Sequence, residues 1–121
     1  MVKRFDENST AASRGLQIWL VLIGKAGNRQ IMTYGMLAGT LGFKNGAGVL
    51  ANLLGHVMYY CQQNGLPPLT VLVVNQDTGL PGAGLKGIDL NAGREEVFNF
   101  DWYSIVPPTV EQLATAYESE A

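Results

Sequence analysis

Four groups of residues in this chain have the types and spacing to do chemistry. The first is a thiol and an imidazole, Cys61 and His56, the only cysteine and the only histidine present. A reactive cysteine needs a nearby cation or helix N-terminus to stabilise its thiolate. Cys61 follows Tyr59-Tyr60 near the end of a helical pattern, five residues from His56, an awkward angle for sharing one helix face. The spacing predicts a buried structural thiol and an uninvolved histidine. A single Cys and a single His also exclude a disulfide framework, a cysteine-built zinc site and a His-rich metal site.

The second group is Gly82-Ala83-Gly84-Leu85-Lys86-Gly87, which fits the dinucleotide fingerprint GxGxxG. That motif works only directly after a strand and at the opening of a helix. Here seven residues, including Pro81, follow the predicted strand before it, and 34 residues remain after Gly87. A wing or loop is expected instead. The third group is Glu95-Glu96 with Asp89 and Asp101, carboxylates suited to acid–base work or a divalent cation. Adjacent glutamates on a helix point apart, so a solvated acidic face is predicted. No catalytic residue, metal site or cofactor is expected.

The fourth group could bind. Phe98, Phe100, Trp102 and Tyr103 could stack on bases, but they sit beside Glu95, Glu96 and Asp101, which repel phosphates. Core packing or a protein interface is the better expectation. The cations Lys25, Arg29 and Lys44, with Arg14 and the Lys3-Arg4 arm, remain for phosphate contacts from a loop and a turn. The helix after that turn offers Asn45, Asn52, His56, Gln62 and Gln63, a set able to read few base edges.

The elements that must position these groups follow from periodicity. Residues 1–12 read as a flexible arm, and Ser13 as the cap of a helix with Leu16, Trp19, Leu20 and Ile23 on one face. Gly24 and Gly27 supply its stop. Arg29 to Met32 is a connector or β-bridge, and Thr33 caps a second helix bearing Tyr34, Leu37, Ala38 and Leu41, ended by Gly42. The turn Phe43-Lys44-Asn45-Gly46 leads to a third helix, where Val49, Leu50, Leu53, Leu54, Val57 and Met58 recur until Asn64-Gly65. Two helices joined by such a turn form a helix-turn-helix unit. Pro67-Pro68 forces extended chain into a predicted strand, Leu69 to Val74, and Asn75 to Gly79 reads as a turn. Leu80 to Leu90 is irregular with room for a partner strand. Asn91 caps a short helical turn through Val97, and Thr109 caps a last helix from Val110 to about Glu118.

Composition sets the bounds. The chain has 121 residues, 47% hydrophobic and 15% charged, with fifteen glycines and a net charge of −2. That fits one domain and excludes a disordered tail. The total conceals an asymmetry: six cations against two carboxylates in residues 1–60, two against eight in 61–121. The longest apolar run, Leu16 to Ile23, is far short of the roughly twenty residues that span a bilayer. The mixed-sign opening shows no secretory signal, and a free Cys61 suits a reducing cytoplasm.

Thr33-Tyr34-Gly35, Leu37-Ala38 and Leu41-Gly42, followed by Val73-Val74-Asn75 and Gly79, form a recognisable order. In these motifs the segment Gln30 to Gly84 resembles the DNA-binding domain of O6-alkylguanine-DNA alkyltransferases and alkyltransferase-like proteins. The resemblance implies a winged helix and adds Thr33 and Tyr34 to the candidate nucleic-acid contacts. That family carries its acceptor cysteine in Pro-Cys-His-Arg; the corresponding Pro67-Pro68-Leu69-Thr70-Val71 has no Cys, His or Arg, which excludes alkyl transfer there. Gly46 to Gln63 also has no Arg or Lys, so the arginine with which the family fills the gap of a flipped base has no counterpart.

The expectation is an α+β single domain over 1–121: an arm, a winged-helix-like three-helix core with a small β-hairpin or sheet over 13–90, and a C-terminal extension, 91–121, with a helix. The expected function is non-enzymatic binding of nucleic acid or nucleoprotein, as an accessory factor with little base specificity. The alternative is a protein-interaction module, contacting a partner or a second copy through Phe98 to Tyr103 and the third helix. No membrane and no small-molecule cofactor is expected.

Overall fold

Thr10 opens the first helix, its hydroxyl accepting the Ser13 amide at 3.1 Å. The computed structural model describes residues 1–44, 47–82 and 89–120. Helix α1 spans Ala11–Gly27, so the expected cap at Ser13 is three residues late. Ala11 and Ala12 are strong helix formers and extend the first turn backward, while the Ser13 hydroxyl donates to the Thr10 carbonyl. Asp6 to Ser9 close a turn in which the Asp6 amide donates to Ser9 Oγ and the Ser9 amide to the Asp6 carbonyl. The far end of α1 also differs. The helix passes Gly24 and ends at Gly27, and the left-handed residue beyond its Asn28 cap is Arg29, at φ 54°.

Strand β1 is Met32–Thr33 and helix α2 is Tyr34–Leu41, capped as expected by Thr33 and stopped by Gly42 at φ 82°. Helix α3 is Ala47–Gln63. Leu50, Leu53, Leu54, Val57 and Cys61 turn one stripe of it into the core. The strand expected over Leu69 to Val74 is a strand only at its end. Leu69–Leu72 form a short 3-10 helix, η1, and β2 is Val73–Val74. Pro67 and Pro68 redirect the chain, with the Leu69 and Val71 amides donating to their carbonyls. Residues 69 to 74 are all buried, so no alternation of faces enforces a strand.

The partner of β2 is β1, not a second arm of a hairpin. The pair is parallel, with Met32 opposite Val73 and Thr33 opposite Val74. Leu80 to Gly82 form no strand, and the rest of the expected partner, 83 to 88, lies outside the described residues. Helix α4, Leu90–Asn99, is longer than the expected turn and is capped by Asp89, whose Oδ1 accepts the Ala92 amide, rather than by Asn91. Helix α5, Val110–Glu120, begins at Thr109 as expected, with Thr109 and Gln112 exchanging backbone-to-side-chain hydrogen bonds.

The architecture is a mostly helical α+β arrangement of five α-helices and one two-stranded parallel sheet among the described residues. Trp19 of α1 is its centre, with no exposed surface, edge-on to Tyr60 at 5.8 Å and to Trp102 at 5.5 Å. Helix α5 covers a second stripe of α3. Tyr117 stacks on His56 with centroids 4.2 Å apart, and Gly15 and Gly55 are the small residues that let α1, α3 and α5 approach. A Cβ on Gly55 would stand 3.0 Å from the Tyr117 ring, and one on Gly15 3.1 Å from His56 Cβ. No helix among the described residues is long and apolar enough to cross a membrane.

Candidate nucleic-acid interface

Arg14 organises one end of the molecule. It lies in the first turns of α1, half-buried, and donates to the Leu41 carbonyl and to Gln17 Oε1, both at 2.9 Å. The Leu41 carbonyl is left without a helical partner where α2 stops, so a guanidinium there satisfies an orphan acceptor. The same guanidinium carbon lies 4.5 Å from the Phe5 ring centroid and 4.8 Å from that of Phe43. Phe5 follows Lys3-Arg4 and Phe43 precedes Lys44. Stacking both rings on one guanidinium therefore ties the arm that carries Lys3 and Arg4 and the chain that carries Lys44 to the same arginine. Neither phenylalanine is marked by periodicity; their only sequence signal is that each adjoins a cation.

The grouping of Lys25, Arg29 and Lys44 into one phosphate-contacting set is not what the fold builds. Eleven residues of helix separate Arg14 from Lys25, about 16 Å at 1.5 Å per residue. Lys25 is half-buried at the far end. Arg29 is committed to α4: Nη2 reaches both Glu95 oxygens at 2.7 and 2.9 Å, Nη1 reaches Asn99, and the guanidinium lies over Phe98. Lys44 is exposed beside Phe43, and Asn45 lies outside the described residues. Asn52 is exposed, but its amide donates to the Tyr117 hydroxyl at 3.0 Å. The first turns of α3 thus present Gly48, Val49, Ala51 and Asn52, with no charge among them.

The Thr33 hydroxyl accepts the Met36 amide and so caps α2. The Tyr34 hydroxyl meets the backbone of Gly82 so closely that a Cβ there would fall 2.6 Å from it. Burial raises the Tyr34 pKa, and the Gly82 backbone pulls against it. The Asn75 to Gly82 segment is pinned elsewhere too. Asn75 Oδ1 accepts the Asp77 and Thr78 amides, and Arg94 donates to the Gly79 carbonyl. This segment carries Asp77 and no cation; Lys86 and the remainder of the glycine fingerprint lie outside the described residues.

The aromatic group divides. Trp102 is buried, with its indole nitrogen donating to the Val97 carbonyl at 2.8 Å. Phe98 and Phe100 are half-buried against the core. Only Tyr103 is open, at 71% exposure, near Val106 at 86%. Packing therefore absorbs three of the four candidate partner contacts.

The chemical candidates have structural employment. Cys61 is buried, and burial pushes its thiol up to about 12, far from a reactive thiolate. His56 is buried under Tyr117, with Nδ1 2.9 Å from the Asn52 carbonyl. Glu95 pairs with Arg29, Asp89 caps α4, and Asp101 Oδ1 accepts the Tyr103 amide. Among the described residues no three His, Cys, Asp or Glu side chains converge as a metal site. No protein-family model matches the chain, and neither a curated protein nor a solved structure matches it significantly.

Proposed function

We propose that this chain is a non-enzymatic, winged-helix-like binding protein that docks on nucleic-acid backbone with little base preference. The observation that carries the reading is the Arg14 junction. By stacking on Phe5 and Phe43 it ties the segment that carries Lys3 and Arg4 and the segment that carries Lys44 to one guanidinium. Phosphate contacts of this kind orient a protein on a duplex, while base edges are read by the helix that enters the groove. That helix offers Asn52 and small apolar residues, so the expected binding is weakly discriminating. The order of three helices, a strand and the Asn75–Gly82 turn also suits a winged helix, with β2 paired to the connector before α2. Asp6 and Glu7 share the arm, so the local excess is small and affinity should be modest and sensitive to salt.

The test is fluorescence anisotropy of a labelled duplex of mixed sequence at rising salt. Counterion release predicts a linear fall of log affinity with log salt, with a slope of about −3 for three or four phosphate contacts. Charge reversal at Lys3, Arg4 and Lys44 together should abolish binding, and reversal at Lys25 should change it little. Absence of binding at low salt would remove the reading.

One observation favours a second reading, a protein-interaction module: Tyr103 and Val106 are exposed on the segment between α4 and α5. Substituting both with serine should leave duplex binding intact. If it instead dissociates a self-associated species seen by sedimentation, that second reading gains.

A further inference from the structure

The arm folds back on the start of α1 and, with Val110 of α5, frames an open cavity of about 570 Å³. Lys3 and Arg4 line it from the arm, and Asn8, Ser9 and Thr10 line it from the entry to α1. The hydroxyls of Ser9 and Thr10 each accept a backbone amide, from Asp6 and Ser13. Each therefore keeps its own proton to donate. Asp6 is the carboxylate on the wall, and its Oδ1 already accepts the Asn8 amide at 2.8 Å. Two cations beside two donating hydroxyls match the acceptor-only oxygens of a phosphate, with which charged donors form the stronger hydrogen bonds. Phe5 lies on the same wall, and its ring on Arg14 holds the arm in this geometry.

We propose that this cavity takes a phosphate group, with Lys3 and Arg4 as its charged ligands and Phe5 as the positioning residue. The proposal rests on the nucleic-acid reading for the source of that phosphate, a backbone phosphodiester. Phe5 touches no phosphate in this account. Its removal leaves every charge in place and sets the two cations loose, so binding must then order the arm at its own expense.

The full chain is tested with two probes, inorganic phosphate and a 20-base-pair duplex. Amide NMR shifts at Ser9 and Thr10 should respond to inorganic phosphate, and the response should vanish in Lys3→Gln/Arg4→Gln. For the duplex, the slope of log affinity against log salt should fall in magnitude by about 2 in that double variant. Phe5→Ala should weaken duplex binding several-fold at unchanged net charge, and Phe5→Tyr should restore it; equal thermal midpoints show that all variants are folded. An unchanged slope in the double variant, with Lys44→Gln still weakening binding, overturns the arm site and leaves the nucleic-acid reading standing. A Phe5→Ala protein that binds like the wild type overturns the positioning role. If the wild type binds no duplex, phosphate-dependent shifts that are lost in the double variant support the cavity against the nucleic-acid reading, and their absence overturns it.

Discussion

Two arginines at opposite ends of α1 illustrate how environment assigns a role. Arg14 satisfies the Leu41 carbonyl and stacks on two rings, so its charge joins the arm and the α2–α3 turn. Arg29 occupies a left-handed backbone position, φ 54°, that costs an L-residue about 1 kcal/mol or more. Its ion pair with Glu95 is half-exposed on both sides and worth at most about 1 kcal/mol. Arg29→Gly and Arg29→Val lose the same contacts, but only glycine relieves the backbone. Chemical denaturation should find the valine variant less stable than the glycine variant by about 1–2 kcal/mol; equal stabilities would show that the φ angle carries no cost. Cys61 makes a prediction about pH. Its folded pKa is raised to about 12 from an ordinary value near 9. The folded state therefore holds its proton more tightly than the unfolded state. This stabilisation is complete below pH 9 and is lost as pH rises toward 12. Urea titrations across that window should show stability falling in the wild type and falling less steeply in Cys61→Ala. The native thiol should also resist alkylation at pH 8 until the protein is unfolded.

At the scale of elements, the docking of α5 on α3 depends on absent side chains. Alanine normally gains about 1 kcal/mol over glycine inside a helix. At Gly55 the new methyl would press on the Tyr117 ring at 3.0 Å, whereas at Gly39 nothing lies within 4 Å. Gly39→Ala should raise the thermal midpoint by a few degrees. Gly55→Ala should lower it, because overpacking of about 1–3 kcal/mol outweighs the propensity gain. Equal shifts in both variants would mean that α5 yields freely.

The elements most legible in the sequence were those whose signals are local. The Thr33 cap, the Gly42 stop and the Thr109 cap are each set by one side chain and one backbone angle, and they fall where the sequence put them. What the sequence concealed was decided by tertiary contact. Leu69 to Leu72 looks like a strand because a short apolar run buried on all sides reads alike as strand or helical turn. Trp102 looked available because nothing local says that the Val97 carbonyl awaits its indole nitrogen. The candidate interface was legible in residue type but not in grouping. Lys44 and the arm carried its charge, yet only the Arg14 contacts with Phe5 and Phe43 show which cations share an end.

For the whole molecule, a net charge of −2 is the sum of two unlike regions. The arm brings Lys3 and Arg4, with Asp6 and Glu7, to the start of α1, where Val110 of α5 also lines the cavity, and Arg29 is neutralised by Glu95. Under the proposed function, nucleic acid meets the arm and not the segment between α4 and α5. The most direct measurement is an amide NMR shift map of the full chain on adding a 20-base-pair duplex at low salt. Shifts should cluster at residues 3–14, at 43 and 44 and at 48–52, and fade as salt is restored. Shifts confined to residues 98–107, or no shifts at all, would contradict it.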